Sequence, residues 1–215
     1  MTVRVYVEGG GDSRSTRDTC REGFRKLFGK VVRPGASLRV IASGGRGRAF
    51  ENFCDGLRDH SDETVLLLVD SEGPVNGTVW EHLRSRVGDG WVRPASATEE
   101  HAYLMVQCME AWFVADRVAV ANYYGKGFHS GALPRQPNVE QIPKQRVQDA
   151  LKRAARQTDK QTYHKTRDGL VLLGLIDAQK LRTGSMHAGR LFDALIRFTG
   201  ESAAKCQRID SIQQG

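Results

Sequence analysis

Four acids stand in two short clusters far apart in the chain. Glu8 and Asp12 flank three glycines, and Asp70 and Glu72 flank Ser71. Each cluster directly follows a β-rich stretch, Val3–Val7 or Thr64–Val69. In an open parallel sheet, ligands collect beyond the carboxyl ends of the strands, so two such strands in one sheet would bring all four acids to one crevice. Carboxylates crowded there repel one another unless a cation neutralises them. Oxygen-only donors suit magnesium, manganese or calcium better than zinc. Gly9, Gly10 and Gly11 let the backbone turn sharply and approach a phosphate closely. Either pair alone reads as a strand end and a turn; two pairs at two strand ends point to a metal.

The elements that would carry these acids can be read from pattern. Val3–Val7 reads as a strand, followed by a helix capped at Ser13 or Ser15 with Cys20, Phe24, Leu27 and Phe28 on its apolar face. Ser37–Ala42 is a second strand, and Ser43-Gly44-Gly45-Arg46-Gly47-Arg48 leads into a second helix. The continuous apolar run Thr64–Val69 suits a central parallel strand covered on both faces. Val79–Val87 reads as a helix, Ala102–Gln107 as a strand, and Glu110–Tyr123 as one helix. This alternation predicts an α/β domain, a largely parallel sheet flanked by helices, over 1–124. An irregular connector over 125–144 follows, then a C-terminal helical annex over 145–206 with helices at Val147–Arg156, Gly169–Ile176 and Met186–Phe198. A polar, frayed tail is expected over 207–215.

Composition narrows the class. Of the 215 residues, 40% are hydrophobic and 27% charged, as in an ordinary globular chain. No apolar run is long enough to span a membrane, and the short apolar start is not a signal peptide, so a cytoplasmic protein is expected. The four cysteines form no CxxC pair, which argues against zinc and disulfides. A net charge of +7 favours a polyanionic partner. Between Lys144 and Arg167 lie eight basic residues against two acids, so Lys152, Arg153 and Arg156 are candidates for holding a nucleic-acid backbone. Arg46 and Arg48 could likewise face a phosphate at a helix start. No Gly-Lys-Ser/Thr follows there, so this is not an ATP-binding loop.

Glu8-x-x-x-Asp12 after a first strand and Asp70-x-Glu72 after an apolar strand resemble the toprim pattern of topoisomerases, primases and the OLD-family nucleases. The finer resemblance is to small bacterial toprim-like proteins sharing VEGGGD, LLLVDSEGPV and a CMEAWF-like segment. Those segments stand here at Val7–Asp12, Leu66–Val75 and Cys108–Phe113. The resemblance implies a toprim-like, Rossmann-like fold and metal-ligand roles for Glu8, Asp12, Asp70 and Glu72. It also places Glu110 where a later S-x-E motif supplies a ligand, and makes Lys165 the catalytic lysine. Glu72 replaces an aspartate of that pattern, and Cys108 replaces its serine.

The function implied is a nuclease that uses two Mg2+ or Mn2+ ions, an effector of anti-phage defence partnered by an ABC- or SMC-like ATPase. Two divalent ions about 4 Å apart can engage both the attacking and the leaving oxygen of an in-line displacement, with Lys165 neutralising charge on the phosphoryl oxygens. The alternative is a catalytically inert toprim module docked on the ATPase. A phosphatase using Asp70 as nucleophile fits less well, because the Glu8–Asp12 segment has no part in it. Trp112 and Phe113, beside Glu110, are expected in the core.

Overall fold

The computed structural model describes the backbone over residues 2–212 and side chains over residues 2–200. Four strands, β1 (Val3–Val7), β2 (Leu38–Ala42), β3 (Thr64–Asp70) and β4 (Ala102–Met105), form one all-parallel sheet in the order β2-β1-β3-β4. Val5 lies opposite both Val40 and Leu66, which fixes the register across the centre. The chain runs outward from β1 to β2 and then returns to place β3 on the other side of β1. The β1/β3 boundary is thus the point where the winding reverses, where a doubly wound sheet leaves a crevice at its carboxyl edge.

Side chains alternate between the two faces with the period of two that a strand imposes. Val3, Val5, Val7, Leu66 and Leu68 enter one core; Tyr6, Val65, Leu67 and Val69 enter the other. The second face is covered by α2 (Arg46–Asp59) and α3 (Val79–Ser85), through Phe53, Trp80 and Leu83. The first is covered by α1 (Arg14–Gly29) and by α4 (Met109–Ala115), and most of the later helices join the same core. The helix α1 starts at Ser13, whose hydroxyl accepts the Thr16 N–H at 3.1 Å, a cap worth about 1 kcal/mol. It buries Cys20, Phe24, Leu27 and Phe28 as the sequence predicts. Full burial of each large apolar side chain contributes about 1.5–3 kcal/mol.

The expected single helix over Glu110–Tyr123 is two helices. Asp116 ends α4, and its carboxylate caps α5 (Arg117–Tyr124) while also binding Lys180 Nζ at 2.7 Å and the Asp177 N–H at 3.0 Å. A side chain that competes for backbone N–H groups breaks a helix its neighbours would continue.

The helix α6 (Lys144–Ala155) starts right after Pro143, three residues before the expected start, because proline is tolerated at a helix start and not inside one. A wide π-type turn, Lys165–Gly169, runs into α7 (Leu170–Leu175). The sequence reading missed α8 (Ala178–Gly184), although Asp177 caps it at Gln179 and Lys180. The last helix, α9, runs Met186–Ile212, so the tail expected to fray is helical through Ile212 and its final three residues lie outside the described ones.

The C-terminal helices share a continuous core with α1 and the sheet. Gly23 of α1 meets α7 so closely that a Cβ there would come within 2.2 Å of the Leu170 carbonyl. Among the described residues, no helix is long and apolar enough to cross a membrane.

Candidate metal centre

Glu8 follows β1, and its N–H donates to the Leu68 carbonyl of β3 at 3.0 Å, so the β1/β3 pairing itself fixes where its side chain starts. Asp70 is the last residue of β3. Pairing continues beyond it, first with the end of β4, Ser71 N–H to Met105 O at 3.0 Å, and then with the chain after β4, Glu72 N–H to Gln107 O at 2.8 Å. Glu72 is held there with φ of 65°, a left-handed conformation that costs a non-glycine residue about 1–2 kcal/mol and persists only where its surroundings impose it. The result is one oxygen from each of Glu8, Asp70 and Glu72 within 4.8 Å of the others. On the neighbouring loops, Gly9 and Gly44 exchange two N–H···O bonds of 2.9 Å, which locks the two strand-end turns together. Gly44 has φ of +79°, and a Cβ on it would lie 2.9 Å from the Gly11 carbonyl, so this closure requires glycine.

Each carboxylate of the cluster has a basic partner. Glu8 Oε2 accepts from Arg46 at 3.2 Å and from the Asp70 N–H at 3.2 Å. Asp70 Oδ2 lies 3.3 Å from Lys165 Nζ, and its Oδ1 accepts the Met109 N–H at 2.7 Å. Glu72 Oε2 lies 2.5 Å from Lys144 Nζ. Asp70 is only 1% exposed. Burial drives its carboxyl up to about 7, Lys165 works against that rise, and Glu8, Glu110 and Glu72 add to it. For Lys165, burial opposes the charge, but Asp70, Glu110 and Glu8 overcome it and hold the ammonium above the usual lysine range.

Glu110 stands on the first turn of α4 and is fully buried. Its Oε1 accepts from Tyr163 at 3.2 Å and from Gln148 at 3.4 Å, whereas Oε2 has no partner. A buried carboxylate oxygen without a donor is costly to leave bare, and a cation or a proton would satisfy it. The Cys108 thiol is pushed above its usual range by burial and then by Glu110 and Asp70, so it stays protonated and a poor nucleophile.

The Lys165 turn rests on another buried carboxylate, Asp168, which accepts from Tyr123 at 2.9 Å, Tyr124 at 3.2 Å, the His164 N–H at 2.8 Å and Arg167 at 2.7 Å. Burial alone would raise the Asp168 carboxyl; the bonds from Arg167, His164 and Tyr123 bring it below the ordinary aspartate value.

The structure thus brings together Glu8, Asp70 and Glu72, with Lys165 bonded to Asp70 and Glu110 close enough to act on both. It does not bring in Asp12, which is exposed at the start of the α1 turn and lies outside the three-acid group. Arg46 was expected to face a phosphate. Instead its guanidinium is turned inward, bonded to Glu8, to the Asp70 carbonyl and to Asp89 at 2.6 Å, and packed 4.9 Å over the Trp91 ring. Unpaired carboxylates nearby capture a guanidinium before solvent does. Arg48, Lys152, Arg153 and Arg156 are exposed away from these contacts.

Sequence reasoning missed Asp89, whose side chain is 3% exposed and bonded to both Arg46 and Arg86. Its setting, Gly88-Asp89-Gly90, reads as a turn and carries no other signal. Lys144 was legible only as one charge in a basic run, and Gln148 and Tyr163 not at all.

The donor set fits a hard divalent cation. Its atoms are all carboxylate oxygens, as Mg2+ and Mn2+ prefer, and the buried Glu110 Oε2 lacks any donor.

A family model described as Domain of unknown function (DUF4276) matches residues 7–196, which includes every acid and base of the site. No curated protein and no solved structure matches the chain.

Proposed function

We propose that this chain, which belongs to the DUF4276 family, is a Mg2+- or Mn2+-dependent nuclease that hydrolyses phosphodiesters at the carboxyl edge of its sheet. The observation that carries the reading is the convergence of Glu8, Asp70 and Glu72 oxygens within 4.8 Å at the β1/β3 switch point. These three residues would hold the metal, with Glu110 as a further ligand. When bound, divalent ions supply Lewis-acid activation of water and stabilisation of the leaving oxygen.

The rest is the work of the chain's own side chains. Lys165, 44% exposed at its side chain while bonded to Asp70, is placed to meet solvent and a phosphoryl oxygen together. Asp70 is oriented by the Met109 N–H, and Asp168 keeps the Lys165 turn in place. An open cavity of about 320 Å3 beside Glu72, lined also by Asn76, His82 and Arg86, gives room for a substrate on that side. The resemblance to OLD-family nucleases adds an ATPase partner and a role in defence against phage to this proposal.

One observation favours a second reading, an inert module docked on an ATPase. Arg46, Lys165 and Lys144 already pair with the three cluster acids, so the group is nearly balanced without a metal. Incubation of the chain with Mg2+ or Mn2+ and mixed DNA and RNA, with and without an ATPase encoded beside it, separates the two. Metal-dependent cleavage that disappears in Asp70→Ala supports the nuclease. Full activity in that variant removes the proposal, and absence of cleavage under every condition leaves the docking module.

A further inference from the structure

A second charged surface lies on the opposite side of α6 from the acids. Lys144 and Gln148 stand four residues apart and turn toward Glu72 and Glu110. Arg146 and Arg153 stand seven residues apart, two helical turns, and so share a face of their own. Arg146 follows Lys144 by two residues, about 200° around the helix, which puts that face away from the acid cluster. Arg146 and Arg153 line an open cleft of about 560 Å3 together with Arg135 and the connector segment 131–136. All three arginines are exposed, and none of their guanidinium groups has a hydrogen bond or an ion pair among the described residues. No acid lines the cleft.

Guanidinium groups keep their charge at any physiological pH and match phosphate oxygens with paired N–H donors. Three of them around one concavity repel each other and attract an anion strongly. The lining offers no aromatic ring on which a base could stack and no acid for a sugar hydroxyl. Contacts of this kind position a nucleic acid without reading its sequence.

We propose that the Arg135–Arg146–Arg153 cleft holds the phosphate backbone of a nucleic-acid strand outside the cut site. The identity of the anion's carrier rests on the nuclease reading above; the cleft's match to phosphate does not. The basic surface of the cleft differs from the one expected from sequence. Arg153 belongs to it, whereas Lys152 and Arg156 do not line the cleft, and Arg135 and Arg146 take their place.

The experiment is a fluorescence-anisotropy titration of labelled single-stranded and duplex oligonucleotides with the full chain in EDTA, where nothing can be cut. Two variants with the same change in charge are compared, Arg146→Glu/Arg153→Glu and Lys152→Glu/Arg156→Glu. The cleft pair is expected to weaken binding about tenfold and to flatten the log–log salt slope by about 1.4–1.8, from ~0.7–0.9 for each of two lost phosphate contacts. The other pair should cost only a few-fold, and Arg146→Lys/Arg153→Lys, which keeps the charge but loses the paired donors, should bind more weakly than the wild type and more tightly than the Glu pair. If a Glu pair fails to fold by circular dichroism, the corresponding Gln pairs are used in both arms.

Equal losses in the two arms, or no loss in either, would overturn the cleft, as would a wild type that binds neither oligonucleotide. The nuclease reading is tested separately: if Asp70→Ala still cut with Mg2+ added, that reading would fail while the cleft stood.

Discussion

Asp70→Asn should make the metal-free protein more stable, although it removes the centre of the proposed site. The Asp70 carboxyl sits at about 7 against an ordinary 3.8, and burial is the main cause. Folding therefore favours the protonated form. Between pH 4 and 7 the folded state holds more protons than the unfolded one, so stability falls as pH rises through that window. At about 1.4 kcal/mol for each pH unit of that gap, the ionised carboxylate costs the fold up to about 4 kcal/mol at neutral pH. The asparagine oxygen can still accept the Met109 N–H but loses the attraction of Lys165. The Lys165 attraction is already contained in that figure; a net gain of about 1–2 kcal/mol remains, since the amide NH2 left facing the ammonium without an acceptor costs up to about 3 kcal/mol. For a chain of this size that is a rise in melting temperature of about 2–8 °C.

The assay is thermal unfolding followed by circular dichroism in EDTA at pH 5 and pH 8, for both proteins. The difference should be small at pH 5 and full at pH 8. Adding millimolar Mg2+ should then raise the wild-type transition and leave that of the variant unmoved, because a cation that binds only the folded site stabilises it by mass action. If Asp70→Asn melted at or below the wild type at pH 8 in EDTA, the idea that burial of this carboxylate outweighs the help of Lys165 would be wrong.

Glu110→Gln should weaken Mg2+ binding, read by calorimetry, while leaving the melting temperature in EDTA unchanged or higher, since Oε2 has no donor to lose. Asp168→Ala should destabilise the chain by about 3 kcal/mol, the cost of stripping a buried carboxylate from its donors, and denaturant melts would register it. Because its carboxyl lies below the ordinary value, the stability Asp168 contributes is present at neutral pH and is lost as pH falls through that lowered value. Gly44→Ala should cost about 2 kcal/mol or more in the same melts, from a left-handed backbone and a contact of 2.9 Å with the Gly11 carbonyl. It should also lower metal affinity by loosening the Gly9–Gly44 closure.

Much of the sheet was legible because it is written in local pattern. The runs Val3–Val7 and Thr64–Val69 and a serine cap at Ser13 or Ser15 are short-range signals; the first strand stands where expected, the second extends one residue to Asp70, and Ser13 is the cap. Asp70 and Glu72 were legible for the same reason: an acid that ends a fully apolar strand has no packing role to explain it. The break at Asp116 was not legible, because it follows from contacts with Asp177 and Lys180, some sixty residues away. Nor was the capture of Arg46, which depends on Asp89 folding in from a glycine turn.

By itself, then, the sequence determined which segments are strands and that acids stand at two of their ends, since both are set by side-chain alternation and local turn chemistry. The tertiary structure decided which acids meet and which bases join them. Asp12 stays out, Lys144 and Arg46 come in, and Arg135 joins Arg146 and Arg153 across a cleft. The physical reason is that electrostatics falls with distance in space, and distance in space between remote segments is set by strand order and helix packing, which no local pattern records.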